Sequence, residues 1–177
     1  MESPPENDRP PPFPARVRPV EPRDIAEVHA MIGELAAFEK LGDAFVAAPA
    51  DFERYLCGGG GDGSRPAEGL VAETGEGELV GYAILFSTFS TFLGKPGLWL
   101  EDLYVRPAWR GRGIGKALLA AGADLARARG CGRYEWTVLD WNVDAIAFYE
   151  SKGARILPEW RIARVEGGGI DRIADGA

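Results

Sequence analysis

The sequence predicts an α+β domain on a mixed, mostly antiparallel sheet with flanking helices. Three observations carry the prediction. Two apolar runs, residues 69–73 and 79–88, flank the turn-forming Thr74-Gly75-Glu76-Gly77-Glu78 and read as an antiparallel hairpin. A strand, a helix and a strand then follow over residues 98–105, 113–129 and 133–139. An amphipathic helix is expected ahead of both, over residues 22–40. Hairpins first and strand–helix–strand later describe a mixed sheet.

Each element has a local cause. Residues 1–14 hold six prolines among polar groups and cannot bury enough surface to offset ordering entropy. They predict a disordered Pro-rich tail over 1–15, with a single domain over 16–177. Val17 to Val20 reads as a first strand, near an edge because of Pro19. Pro22 suits a first helical position and Asp24 a first turn. Ile25, Val28, Ile32, Leu35 and Ala36 then recur at helical spacing. A short helix is expected at 51–56, followed by a glycine-rich flexible loop at 58–64. In the helix at 113–129, Leu118, Leu119, Ala121 and Leu125 should point inward, and Gly130 should end it. Residues 144–152 form another short helix closed by Gly153, and the alternating 160–165 reads as a last strand.

Composition removes several functions. The chain has 177 residues, and 27 acidic against 20 basic side chains leave a net charge of −7. That balance opposes general nucleic-acid binding and favours cations, amines among them. No apolar run approaches the ~20 residues of a membrane span, and no signal peptide opens the chain, so a cytoplasmic protein is expected. Cys57 and Cys131 are the only cysteines and His29 the only histidine. Hydrolytic triads and the usual metal sites therefore lack their ligands, and no metal is expected. His29 reads as a surface or core residue, and Cys131 as a small buried one.

Chemistry concentrates in Arg110-Gly111-Arg112-Gly113-Ile114-Gly115-Lys116, between a strand and a helix. Glycines let the backbone turn tightly, and a helix start adds unpaired N–H donors at the positive end of its dipole. Arg106, Arg110, Arg112 and Lys116 gather there on an otherwise acidic chain. Together these make an anion site suited to pyrophosphate. A plain glycine-rich helix start with solvated arginines would show the same pattern. A Walker A loop would need Gly at 110 and Ser or Thr at 117, where Arg110 and Ala117 stand. A GxGxxG dinucleotide loop is absent too, because Gly111, Gly113 and Gly115 space as GxGxG.

The stretch Arg110 to Gly115 resembles the Q/R-x-x-G-x-G/A pyrophosphate loop of the GCN5-related N-acetyltransferase (GNAT) superfamily. Leu100-Glu101-Asp102-Leu103-Tyr104-Val105 is similar to that family's central strand. Asn142-Val143-Asp144-Ala145-Ile146-Ala147-Phe148-Tyr149, continuing to Gly153 and Ala154, resembles its final motif. The likeness spans about residues 16–165, with the motifs in the family's order. Glu34 to Glu39, Leu93-Gly94-Lys95, Leu100-Glu101-Asp102 and Trp141-Asn142 are similar to the diamine (spermidine/spermine-type) branch.

The resemblance implies a GNAT-like fold with a splayed acetyl-CoA cleft and direct acetyl transfer from acetyl-CoA to a primary amine. Leu103, Tyr104 and Val105 would meet the pantetheine arm, and Arg110, Gly111, Arg112, Gly113, Ile114, Gly115 and Lys116 the pyrophosphate. Asn142 and Ala145 would also face the cofactor. Tyr149 would be general acid to the leaving thiolate; a space-filling role is the alternative. Glu101 would be base, water relay or substrate anchor, with an ordinary salt bridge as its alternative. Strand alternation would send Asp102 to the opposite face as a structural residue. Phe38 and Glu39 would contact the amine. The segment Ser87 to Leu93 lacks the branch's carboxylate, so a short amine, lysine or thialysine fits as well as a polyamine. A homodimer is expected from the resemblance, with 160–174 available for pairing. Acetylation of protein N-termini or lysines, and a non-catalytic acyl-CoA-binding module, are the competing functions.

Overall fold

The computed structural model describes residues 15–58 and 65–176. The tail expected over 1–14 and most of the glycine loop lie outside the described residues. The chain forms two compact units, one ending at Thr137 and one beginning at Val138.

The first unit is built on a five-stranded sheet in the order β1-β2-β3-β4-β5. The strands are β1 (Ala15–Pro19), β2 (Glu68–Thr74), β3 (Leu79–Ser90), β4 (Lys95–Val105) and β5 (Arg133–Trp136). The first three pairings are antiparallel and β4–β5 is parallel. The helices are α1 (Ile25–Phe38), α2 (Pro49–Leu56) and α3 (Ile114–Ala128), and a 3-10 turn, Pro22–Asp24, leads into α1. The mixed, mostly antiparallel architecture is therefore the one expected. Ala15, placed in the tail by sequence, opens β1 and is buried.

Local chemistry fixes these elements. The β2–β3 turn closes with the Gly77 amide donating to the Thr74 carbonyl at 3.0 Å, and Gly77 takes φ +86. Arg18 on β1 pairs with Asp24 at 2.6 Å and Glu73 on β2 at 2.8 Å, fastening the entry of α1 to the sheet. Burial pushes the Asp24 carboxyl up, but hydrogen bonds from Arg18 and the Glu21 amide outweigh it and leave the group below its ordinary range. Val28 and Met31 of α1 are fully buried against Val71, Tyr82, Ile84 and Tyr104. Burial of side chains of this size stabilises by about 1.5–3 kcal/mol each. His29 packs on Phe45 and Phe52, with Nε2 2.9 Å from the Ala47 carbonyl, and so holds α1 to the segment before α2.

The opposite face of the sheet carries α3. A methyl group on Gly81 would meet Leu118 of α3 at 3.3 Å, and one on Gly122 would strike the Tyr134 hydroxyl of β5. Ile114, Leu118, Leu119, Gly122 and Ala126 form the buried stripe, so Ala121 and Leu125 sit at its edge and not in it. Gly130 closes the helix at φ +65.

The second unit holds α4 (Val143–Glu150) and α5 (Gly168–Ala174). Gly153 follows α4 at φ +89. The strand expected at 160–165 does not form: these residues are irregular and exposed. Alternation gives a ribbon two faces, but a strand also needs a neighbour for its N–H and C=O groups, and none among the described residues pairs there. Among the described residues, no helix is long and apolar enough to cross a membrane.

Candidate functional site

β4 departs from regular pairing in its middle. Ile84 faces Asp102 and Leu85 faces Leu100, so Glu101 is an extra residue in a β-bulge. The bulge overturns the expected alternation. Trp99 stacks on Phe86 at 6.1 Å between ring centroids and donates from Nε1 to Glu101 Oε2 at 3.0 Å. Asp102 accepts a 3.4 Å contact from the Tyr82 hydroxyl. Phe86, Ile84 and Tyr82 share one side of β3, the side packed on α1. Glu101 and Asp102 therefore lie on the same face, not on opposite faces. The extra residue repeats one side-chain direction before alternation resumes.

Their surroundings differ. Glu101 is exposed, whereas Asp102 is half-buried. Burial, and then the charges of Glu101 and Glu39, push the Asp102 carboxyl up to about 6, with the Tyr82 hydroxyl acting the other way. Glu39, at the end of α1, is also pushed up by burial. Three carboxylates thus converge on one surface, and their mutual repulsion is relieved by a cation or a proton. Tyr82 is a candidate that sequence reasoning missed, and Asp102 is one that it read as structural. The signal was two successive carboxylates in an otherwise apolar strand, which strict alternation cannot place on one surface.

The same strand has an open edge. Its pairing with β5 covers only residues 97–100, against 133–136. Beyond Leu100, β4 pairs among the described residues on one side alone, with β3. The Arg106 amide donates to the Val80 carbonyl of β3 at 3.0 Å. By alternation, Leu103 and Val105 turn their backbone groups to the open edge and Tyr104 turns its own to β3. Val105 confirms that direction, because its carbonyl accepts from Arg110 Nε at 2.9 Å.

After β4, a 3-10 turn, Pro107–Trp109, leads to the glycine loop. Gly111 and Gly113 take φ +74 and +83, left-handed values that cost a side-chain-bearing residue. Gly113 is the N-cap of α3 and offers no side-chain cap, so Ile114, Gly115 and Lys116 begin the helix with amides that have no intrahelical acceptor. These donors and the open β4 edge suit the pyrophosphate and pantetheine of acetyl-CoA. The cations are arranged less simply than the sequence implied. Arg106 leaves the anion cluster to pair with Glu27 at 2.6 Å and Glu34 at 2.9 Å. Arg112 lies over the Trp109 ring, 4.8 Å from its centroid.

Glu34 is a junction. Its carboxylate accepts from the Tyr104 hydroxyl at 2.9 Å and from Arg106. Burial raises it, but these bonds prevail and hold it below the ordinary carboxylate range. One turn further along α1, Phe38 lies under Arg110, 5.4 Å from ring centroid to guanidinium carbon.

The remaining predicted residues belong to the second unit. Asn142 is the N-cap of α4, its Oδ1 accepting from the Ala145 amide at 3.3 Å. Tyr149 is buried on α4, its ring 5.3 Å from that of Phe148.

Known proteins resolve what this scaffold is. Residues 34–154 match the acetyltransferase (GNAT) family. The chain belongs to that family. This acetyltransferase is 30% identical to an L-ornithine N5-acetyltransferase of Arabidopsis thaliana, over 90% of this chain and 87% of the relative. It is 34% identical to a thialysine N-epsilon-acetyltransferase of Sus scrofa, over 89% of this chain and 96% of the relative. In structure it matches an integron cassette protein from the mobile metagenome of V. cholerae, with a TM-score of 0.73 and 25% identity over 93% of this chain and 100% of that one. The amine N-acetyltransferase function and diamine-branch likeness read from the motifs agree with these relatives.

Proposed function

We propose that this acetyltransferase carries acetyl from acetyl-CoA directly to a primary amine of a small diamine or lysine-like amino acid. The observation that carries the reading is the β4 bulge. It gathers Glu101 and Asp102 on one face near Glu39, beside a strand edge free to pair with an extended arm. Two relatives named for ornithine and thialysine, each a diamino acid, support the substrate class.

The steps follow from the groups present. The carboxylates attract the ammonium form of the acceptor, and one of them takes its proton, directly or through water. Asp102, raised to about 6, is ionised at neutral pH yet basic enough to accept a proton. The free amine then attacks the thioester carbonyl; a C–N bond forms and the C–S bond breaks. Tyr149 supplies the proton that the departing thiolate takes, and the proton that the new amide nitrogen sheds restores the phenol. A phenol, with an ordinary pKa of about 10, holds that proton at neutral pH. The outward backbone groups of Leu103 and the Val105 amide bind the pantetheine arm as a strand would, and the amides from Gly111 to Lys116 hold the pyrophosphate.

The working enzyme is a cytoplasmic homodimer whose catalytic domain begins with β1. The exposed Trp160, Ile162, Ile170 and Ile173 of the second unit support a self-association surface. The deciding experiment measures CoA thiol release with ornithine, thialysine, spermidine and short peptides. Turnover is expected on a small diamine. Release with peptides alone would make this a protein acetyltransferase. Acetyl-CoA binding without turnover on any acceptor would make it a binding module.

A further inference from the structure

The first residue of the glycine loop does not reach over the helix start behind it. Arg110 folds back: Nε donates to the Val105 carbonyl on the open edge of β4, and the guanidinium lies over two rings, Phe38 of α1 and Tyr104 of β4. Tyr104 is held in turn by Glu34 of α1, which also binds Arg106. The C-terminal end of α1 and the edge of β4 are thus joined twice, through Glu34 and through Arg110. A phosphate ligand would be expected to keep its guanidinium fork clear. Here Nε is committed to a carbonyl, and the guanidinium carbon lies 5.4 and 5.7 Å from the Phe38 and Tyr104 ring centroids.

We propose that Arg110 is a positioning residue: it latches the Phe38–Glu39 end of α1 to β4 and so sets the amine pocket against the acyl donor. The inference rests on the proposed function, because it takes the β4 edge as the donor side and the end of α1 as the acceptor side. A guanidinium is required, since the Nε donor and the cation over the two rings act together. Lysine retains the charge but not the Nε donor.

The test separates latch from phosphate ligand. Affinity for CoA is measured by calorimetry, and amine KM and kcat are measured with the best acceptor of the panel above. The proteins are wild type, Arg110→Lys, Arg110→Ala, Phe38→Leu and the Arg110→Ala/Phe38→Leu double variant. Arg110→Ala is expected to raise amine KM roughly tenfold, equivalent to about 1.4 kcal/mol, while CoA affinity changes less than threefold. Arg110→Lys should behave like Arg110→Ala. The double variant should fall short of the product of the single effects, because both changes break one contact. Should Arg110→Ala misfold, the lysine variant and its combination with Phe38→Leu carry the same comparison. The proposal is overturned if CoA affinity falls as much as amine KM rises, if neither changes, if lysine restores wild-type KM, or if the effects multiply. A wild type that acetylates no amine refutes the proposed function; an active wild type with any of those four results refutes the latch alone.

Discussion

Replacing Asp102 with asparagine removes a titrating group while nearly preserving its shape. The carboxyl is raised from an ordinary 3.8 to about 6 by burial and by the charges of Glu101 and Glu39. A rise of that size, at about 1.4 kcal/mol per unit, is ~3 kcal/mol of preference for the protonated form in the folded protein. Between pH 4 and 6 the folded state holds a proton that the unfolded state has released. Stability from this group is therefore complete below about pH 4 and lost as pH rises through 6. Asp102→Asn abolishes that loss, so at pH 8 the variant should be more stable than wild type by up to ~3 kcal/mol in denaturant titration. Activity runs the other way. A base works only when deprotonated, so wild-type kcat/KM should fall about tenfold per unit below pH 6, and the Asn variant should lose that inflection together with about 10²–10⁴ of the rate. The assay is thiol release from pH 5 to 9. If the Asn variant keeps the inflection near 6, or if Glu101→Gln removes it instead, Asp102 is not the base.

Three further outcomes are expected. Gly113→Val places a branched side chain at φ +83, before the first amides of α3; acetyl-CoA affinity should fall more than tenfold by calorimetry, and an unchanged affinity would mean that the loop holds no pyrophosphate. Tyr149→Phe should lower kcat by at least about tenfold while acetyl-CoA affinity holds, so an unaltered rate would remove the hydroxyl from the mechanism. Asp24→Asn leaves the buried Arg18 short of its closest partner and should cost about 3–5 kcal/mol at neutral pH. Because the Asp24 carboxyl is held low in the fold, that gap should narrow as pH falls below 4, seen as converging thermal melts of variant and wild type.

The mixed sheet, the hairpin and the helices α1 to α4 were legible because their causes are local. Glycines at 77 and 130, proline at 22 and periodic leucines speak for themselves at short range. The glycine loop was legible because backbone chemistry needs no partner to declare itself. The roles of individual side chains were not, because those are set by contacts distant in sequence. Arg106 and Glu34 are 72 residues apart, and nothing near either predicts that they cancel each other. Arg110 reads as an anion ligand by charge and by motif, and neither shows its approach to Phe38, far earlier in the chain. The bulge at Glu101 depends on how β3 registers with β4, so a period-two rule applied to β4 alone could not find it. The expected strand at 160–165 failed for the converse reason: alternation was present and a neighbour was not.

The brief β4–β5 pairing has a consequence beyond catalysis. Four residues of contact leave the rest of that β4 edge without a strand partner among the described residues, and such a margin is a template on which other polypeptides can polymerise. A nucleotide thioester seated along that margin would act as a removable fifth wheel of the architecture, blocking stray partners and, at a hundredfold excess over its dissociation constant, adding about 2.7 kcal/mol of resistance to unfolding. The donor of the reaction would then also be the chaperone of the empty seam.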